Sequence, residues 1–196
     1  MLDRRTEILD AALSVLASDG MRGLTHRAVD HAAGIPTGST SYYFRTRQAL
    51  VAGCIDRLVE IDRQFGAPPR VPTDVAGFLD LVVAAGEVMA GPKRALTQAR
   101  YELSVAAMHD AELRELLGRG AAAVAQMAAA GLAALGATEP ERSARQVLAA
   151  FDGVLFTALV RGETEVGPML RAVVGPVLAA QPGLAGRAGL NPRGRP

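Results

Sequence analysis

The stretch from Leu24 to Leu50, LTHRAVDHAAGIPTGSTSYYFRTRQAL, constrains this chain more than any other part, because its punctuation admits one arrangement. That arrangement is a helix, a tight turn, and a second short helix closed by aromatic residues. Thr25 is suited to cap the first helix, since its hydroxyl can accept a bond from a first-turn amide. Ala28, Val29, Ala32 and Ala33 then recur at helical spacing and make one small apolar face. Gly34 ends that helix, because glycine adopts the left-handed backbone that a helix C-terminus needs. Ile35 is placed to plug into the core, and Pro36 carries a φ suited to a first helical turn, so the second helix is expected to begin at about Pro36.

The second helix, Thr37 to Tyr43, reads Thr, Gly, Ser, Thr, Ser, Tyr, Tyr. A surface helix stabilised for its own sake carries long residues of high helix propensity, and this one does not. Short hydroxyl side chains followed by two phenols suit close approach to another polar surface, and the major groove of DNA accepts such a helix. There Gly38 lets the backbone come near, while Ser and Thr hydroxyls can bond base edges or phosphates.

Ala- and Leu-rich segments with apolar residues three and four apart, and few segments alternating with period two, predict an all-α fold with little or no sheet. At 196 residues and 49% hydrophobic content the chain can bury a core of one or two domains. The formal net charge of +1 hides a partition: residues 1–50 hold six Arg and five acids, residues 51–181 are net acidic, and residues 182–196 hold three Arg and no acid. Cys54 is the single cysteine, so no intrachain disulfide can form. The opening MLDRRTEILDAAL lacks the apolar core of a secretory signal, and no stretch reads as a membrane span, so a cytoplasmic protein is expected.

The punctuation predicts nine helices. The first runs from Arg4 to Ser18 and ends at Asp19-Gly20; the fourth starts after Thr46 and runs to about Phe65, where Gly66-Ala67-Pro68-Pro69 breaks it. Five more follow: Asp74 to Ala90, Pro92 to about His109, Asp110 to about Leu135, Pro140 to Arg161, and Gly167 to Gln181. The expected organisation is a helix-turn-helix domain over 1–48, a helical domain over 49–181, and a disordered Gly/Pro/Arg tail over 182–196. Arg187, Arg193 and Arg195 in that tail are left unassigned.

The run THRAVDHAAGIPTGSTSYYFRTRQAL resembles the DNA-binding segment of TetR-type transcriptional repressors, and the resemblance is specific over about residues 5–60. It implies a nine-helix homodimer with an N-terminal three-helix DNA-binding domain and a C-terminal helical domain for ligand binding and dimerisation. By position, Arg27 resembles the family's base-reaching residue, and Thr37, Gly38 and Ser39 fall where the recognition helix faces the groove. Thr25, Ser41, Tyr42, Tyr43 and Arg47 complete the DNA-binding set, with Tyr42, Tyr43 and Arg47 near phosphates. Ser41 departs from the family, which usually places a Tyr there.

Beyond that segment the candidates rest on weaker patterns. Phe78, Met89, Arg100, Tyr101, Met108, Met127, Phe151 and Asp152 combine adaptable apolar side chains with polar groups that could orient a small molecule, although core packing explains most of them equally well. The last two helices carry broad apolar faces. Val147, Phe151, Val154, Leu155, Leu159, Leu170, Val173 and Val177 are the expected dimer interface, with packing inside the chain as the alternative. Phe44 is expected to be a core plug. His26 and His31, five residues apart, fall on different helix faces with no Cys or acid pair beside them, so no metal, cofactor or catalytic residue is expected. The partners implied are a double-stranded DNA operator, an unknown small-molecule effector and a second copy of the chain, with no membrane. The competing functions are a helical carrier or enzyme with an adaptor domain, and a helix-turn-helix that binds protein.

Overall fold

The computed structural model describes residues 3–65 and 72–184. Among these residues there are nine helices and no strand: α1 Arg4–Gly23, α2 His26–Ala32, α3 Ser39–Tyr43, α4 Arg47–Phe65, α5 Val75–Ala90, α6 Arg94–Ala107, α7 Ala111–Ala134, α8 Pro140–Arg161 and α9 Gly167–Ala179. The expected Pro-rich breaker over 66–69 and the three tail arginines lie outside the described residues. Two starts show why the helix order was readable: Asp74 caps α5 by accepting from the Gly77 amide at 2.7 Å, and Pro140 opens α8.

α6 starts at Arg94 rather than Pro92 and α9 ends at Ala179 rather than Gln181, and two boundaries differ more instructively. α1 does not stop at Asp19-Gly20; it breaks there, with Gly20 at φ 64°, and a last short turn carries it to Gly23. The second helix of the turn unit begins at Ser39 rather than Pro36, because Gly38 takes a left-handed φ of 96° that no helix interior allows.

The chain divides into two compact units, one drawn from residues 1–67 and 93–120, the other from 68–92 and 121–196. This division differs from a cut at residue 48, since α4, α6 and the start of α7 join the first unit. The core of that unit runs through Ile8, Leu13 and Leu16 of α1, Val29 of α2, Phe44, and Leu50, Ile55 and Leu58 of α4. From α6 it takes Ala99, Leu103 and Ala107, four residues apart on the face that packs along α1, the two alanines being small. Arg57 of α4 bridges to both carboxylate oxygens of Asp10 on α1, at 2.7 and 3.2 Å, and that bond raises the guanidinium pKa further. Cys54 is buried in this core, and burial pushes its thiol up to about 12, so it is a packing residue and not a nucleophile.

In the second unit α5, α8 and α9 pack on one another. Phe78, Leu79 and Val83 of α5 are buried with Val147, Phe151, Val154 and Leu155 of α8 and Leu170, Val174 and Leu178 of α9. Gly86 is buried here because a Cβ at its position would meet the Phe151 ring at 3.2 Å and overlap Leu170. Contrary to the sequence expectation, α7 and α8 are long and apolar enough, by length and composition, to cross a membrane. The reason is their Ala-rich composition, with most charges gathered near one end, as in Glu112, Arg114, Glu115 and Arg119 of α7. α8 buries its apolar side against α5 and α9.

Candidate nucleic-acid interface

The helix-turn-helix combines local caps with bonds that join its two helices. Thr25 caps α2, its hydroxyl accepting from the Ala28 amide at 3.1 Å. Gly34 turns the chain with φ 63°, and the Ile35 amide returns to the Asp30 carbonyl at 3.0 Å, closing the helix end. Thr37 and Gly38 then form a turn, closed by the Ser39 amide on the Pro36 carbonyl at 3.1 Å, rather than the first turn of a helix. The Ser39 hydroxyl donates to the Pro36 carbonyl at 2.6 Å, which ties the start of α3 back to that turn.

At five residues, α3 is too short to be stable by itself, and α2 holds it in place. Asp30, 2% exposed, accepts from the Gly38 amide through Oδ2 and from the Thr40 amide through Oδ1, each at 2.7 Å. A carboxylate here satisfies two first-turn donors and complements the positive helix end. Burial works against the Asp30 charge, but hydrogen bonds from Thr40 and Gly38, with His26 nearby, outweigh it and hold the carboxyl below its ordinary pKa. The other end of α3 is fixed from α2 as well. The Phe44 carbonyl lies 2.6 Å from His26 Nε2, and because a carbonyl only accepts, the ring donates from Nε2. Phe44 itself is 1% exposed, under the Arg5 guanidinium at 4.5 Å, and Gly53 leaves room for its ring: a Cβ there would come within 2.8 Å of it.

These restraints leave a defined outer surface. Arg27 is exposed on α2, and Thr37, Gly38, Ser41, Tyr42 and Tyr43 are exposed along the turn and α3. Tyr42 is 81% exposed and stands edge-on to Tyr43, with centroids 5.2 Å apart. Ser39 is half-buried with its proton engaged, which leaves its oxygen as an acceptor. Arg47, expected at a phosphate, is exposed, and its guanidinium also donates to backbone, Nε to the Leu24 carbonyl at 3.2 Å and Nη2 to the Met21 carbonyl. Arg45, two residues earlier and absent from the expected set, is exposed.

Asp30, His26 and Thr40 were not legible as site residues. One signal was present: an Asp beside Val29 on the packed side of α2, followed by a helix start, Pro36 to Ser39, that supplies no strong cap of its own.

The expected pocket residues divide between the units. In the first, Arg100 is paired with Asp62 at 2.7 Å, Tyr101 is half-buried, and Met108 is exposed. In the second, Phe78 and Phe151 are buried in core packing, Met89 is half-buried, and Met127 and Asp152 are exposed. A cleft of about 460 Å³ opens in the first unit among Met21, Arg47, Val51, Ala106, His109 and Leu113, and none of the eight residues lines it.

The expected interface residues are mostly inside the chain. Val147, Phe151, Val154, Leu155 and Leu170 are buried in the core of the second unit, Leu159 and Val177 are half-buried, and Val173 alone among them is exposed. The apolar residues on the outer side are Phe156 and Val160 of α8 and Met169 and Val173 of α9, each pair one helical turn apart.

Residues 72–180 match the family described as tetracyclin repressor-like, C-terminal domain, and residues 8–54 match the bacterial regulatory proteins of the tetR family. The HTH-type transcriptional repressor KstR2 of Rhodococcus jostii (strain RHA1) is 33% identical over 108 residues, which cover 55% of this chain and 46% of that repressor. This chain therefore matches about half the length of its curated relative. Among solved structures, the multidrug binding protein EbrR complexed with ethidium superposes with a TM-score of 0.69 at 28% identity, covering 89% of this chain and 98% of that one. A TetR-family member from Streptomyces coelicolor A3 gives 0.72 at 28% identity, covering 90% and 98%.

Proposed function

The chain belongs to the TetR family of transcriptional regulators, non-enzymatic DNA-binding proteins, and on that footing we propose that it is a homodimeric repressor released from its operator by a small molecule. The observation that carries the DNA-reading part is the Asp30-held helix α3, which exposes Ser41, Tyr42 and Tyr43 while its ends are fixed from α2. Thr37, Gly38 and Ser39 approach base edges, Arg27 reaches a base from the neighbouring helix, and Tyr42 and Tyr43 lie against phosphates. Thr25 supports this surface as the cap of α2. Such a protein works in the cytoplasm, where its DNA is.

Dimerisation follows from the size of the reading surface, since one five-residue helix gives too few contacts for tight binding. Two heads must sit about 34–36 Å apart, or a multiple of that, to meet half-sites on one face of B-DNA. Phe156, Val160, Met169 and Val173 form the contact with the second copy, in place of the buried residues next to them. An effector that favours another head separation weakens DNA binding by population shift. EbrR, which is similar in fold and was solved with ethidium, is a precedent for a small molecule bound by such a regulator.

A mobility-shift assay on duplex DNA at two salt concentrations tests this reading. Binding that weakens steeply with salt supports it, and a salt-independent or absent shift contradicts it in favour of protein recognition or a carrier role. Arg27→Ala is expected to reduce discrimination between matched and mismatched duplexes by about 1–3 kcal/mol, measured as a ratio of dissociation constants. An unchanged ratio removes Arg27 from base reading.

A further inference from the structure

The link between α1 and α2 is gripped from two sides by charged groups that arrive from distant parts of the same compact unit. At Gly20 the backbone turns left-handed, breaking α1. The next residue, Met21, donates its amide proton to Glu102 Oε2 of α6 at 3.0 Å, across 81 residues of sequence. Its carbonyl accepts from Arg47 of α4, whose Nε also donates to the Leu24 carbonyl at 3.2 Å, one residue before the cap of α2. Gly20 is closely tied to the same carboxylate, since a Cβ there would stand 2.9 Å from Glu102 Oε2.

Along α6, Ala99, Leu103 and Ala107 are buried in the core shared with α1, and such apolar packing resists separation without directional bonds. Hydrogen bonds to charged groups are directional and strong, so the register is set where Glu102 and Arg47 hold residues 20–24. Because Asp30 and His26 bind α3 to α2 as one piece, whatever fixes the start of α2 also fixes the direction of α3. We propose that Glu102 and Arg47 are positioning residues of the reading head: by holding residues 20–24 they set the angle at which α2 and α3 leave α1. This rests on the DNA-reading role proposed above.

Hydrogen exchange on the free full-length chain tests the grip without DNA. In Glu102→Ala the amides of residues 21–25 are expected to exchange about tenfold faster while those of Ile8 to Leu16 keep their protection, as for a local opening. Glu102→Gln retains a carbonyl acceptor and is expected to restore protection. Unchanged exchange at 21–25 in the alanine variant, or equal loss along the whole of α1, would overturn the proposal. Should Glu102→Ala not fold, Arg47→Ala is expected to give the same local pattern, with the same two outcomes against it.

On a duplex enriched from a random pool by the wild-type chain, Glu102→Ala and Arg47→Ala are each expected to weaken binding about tenfold with the salt slope unchanged. If the slope falls by about 0.9 in Arg47→Ala, its guanidinium neutralises a phosphate and its place in the grip is lost. If the wild-type chain enriches no duplex, the DNA-reading role fails, while hydrogen exchange still decides whether the grip exists.

Discussion

Both compact units of this chain have an apolar core, and they differ in how many charged side chains are aimed at backbone. In the first, side-chain polar groups are aimed at backbone: Asp30 at two amides of α3, His26 at the Phe44 carbonyl, Glu102 at the Met21 amide, Arg47 at two carbonyls. In the second, α5, α8 and α9 meet mainly through interlocking apolar side chains, with Gly86 accommodating Leu170 and Phe151, beside an ion pair from Arg171 of α9 to Asp80 of α5 at 2.6 Å. Directional bonds fix angles, whereas apolar packing fixes volume and tolerates repacking among residues of similar size. A surface that must match a DNA groove needs fixed angles. Packing that can adjust suits the effector-binding role proposed above for the helical domain.

Removing a large side chain from the second unit separates stability from DNA reading most clearly. Phe151→Ala is expected to destabilise the chain by about 3–5 kcal/mol in denaturant unfolding, the usual cost of an aromatic cavity. Where the chain remains folded, its preference among duplex sequences is expected to stay as in the wild type. A changed preference would mean that packing in the second unit also sets the angle of the reading helix.

Asp30→Ala should do the opposite, with a smaller loss of stability and a larger loss of reading. It leaves the Gly38 and Thr40 amides without their acceptor, at about 1–3 kcal/mol for the unmet groups, and it frees the start of α3. Discrimination between duplexes is expected to fall more than nonspecific binding does. The same carboxylate predicts a pH dependence. Its pKa is lowered on folding, so its contribution is fully present at neutral pH, above the unfolded value, and is lost as pH falls through the lower, folded one. Asp30→Asn is expected to flatten that acid limb in a pH series of unfolding curves; an identical limb would assign it to other carboxylates. The smallest effect expected is that of Thr25→Ala, about 1 kcal/mol for one helix cap. It is read as a midpoint shift in denaturant, with duplex preference nearly unchanged.

What could be read from the sequence follows the same division. The nine helices and the turn at Gly34 were legible because caps, glycines, prolines and three-four spacing are local signals. Phe44 was legible as a plug because it is the apolar residue just before a polar turn. The start of α3 was misplaced because Pro36 suits a helix start locally, whereas the left-handed Gly38 and the Asp30 carboxylate decide the outcome through contacts eight and ten residues apart. Arg47 and Glu102 were beyond reach for the same reason, since their partners are 23 to 81 residues away. On α8 and α9 the apolar faces were visible, but they are broader than one contact needs. Spacing could not separate the buried side, Val147, Val154 and Leu155, from the outer side, Phe156 and Val160.

The proposed dimer of reading heads is tested most directly by selecting duplexes from a random pool with the full-length chain and reading the symmetry of the enriched sequence. A homodimer of reading heads is expected to enrich an inverted repeat whose half-site centres lie about 10–10.5 base pairs apart or a multiple of that. A single asymmetric site, or no enrichment, would contradict it.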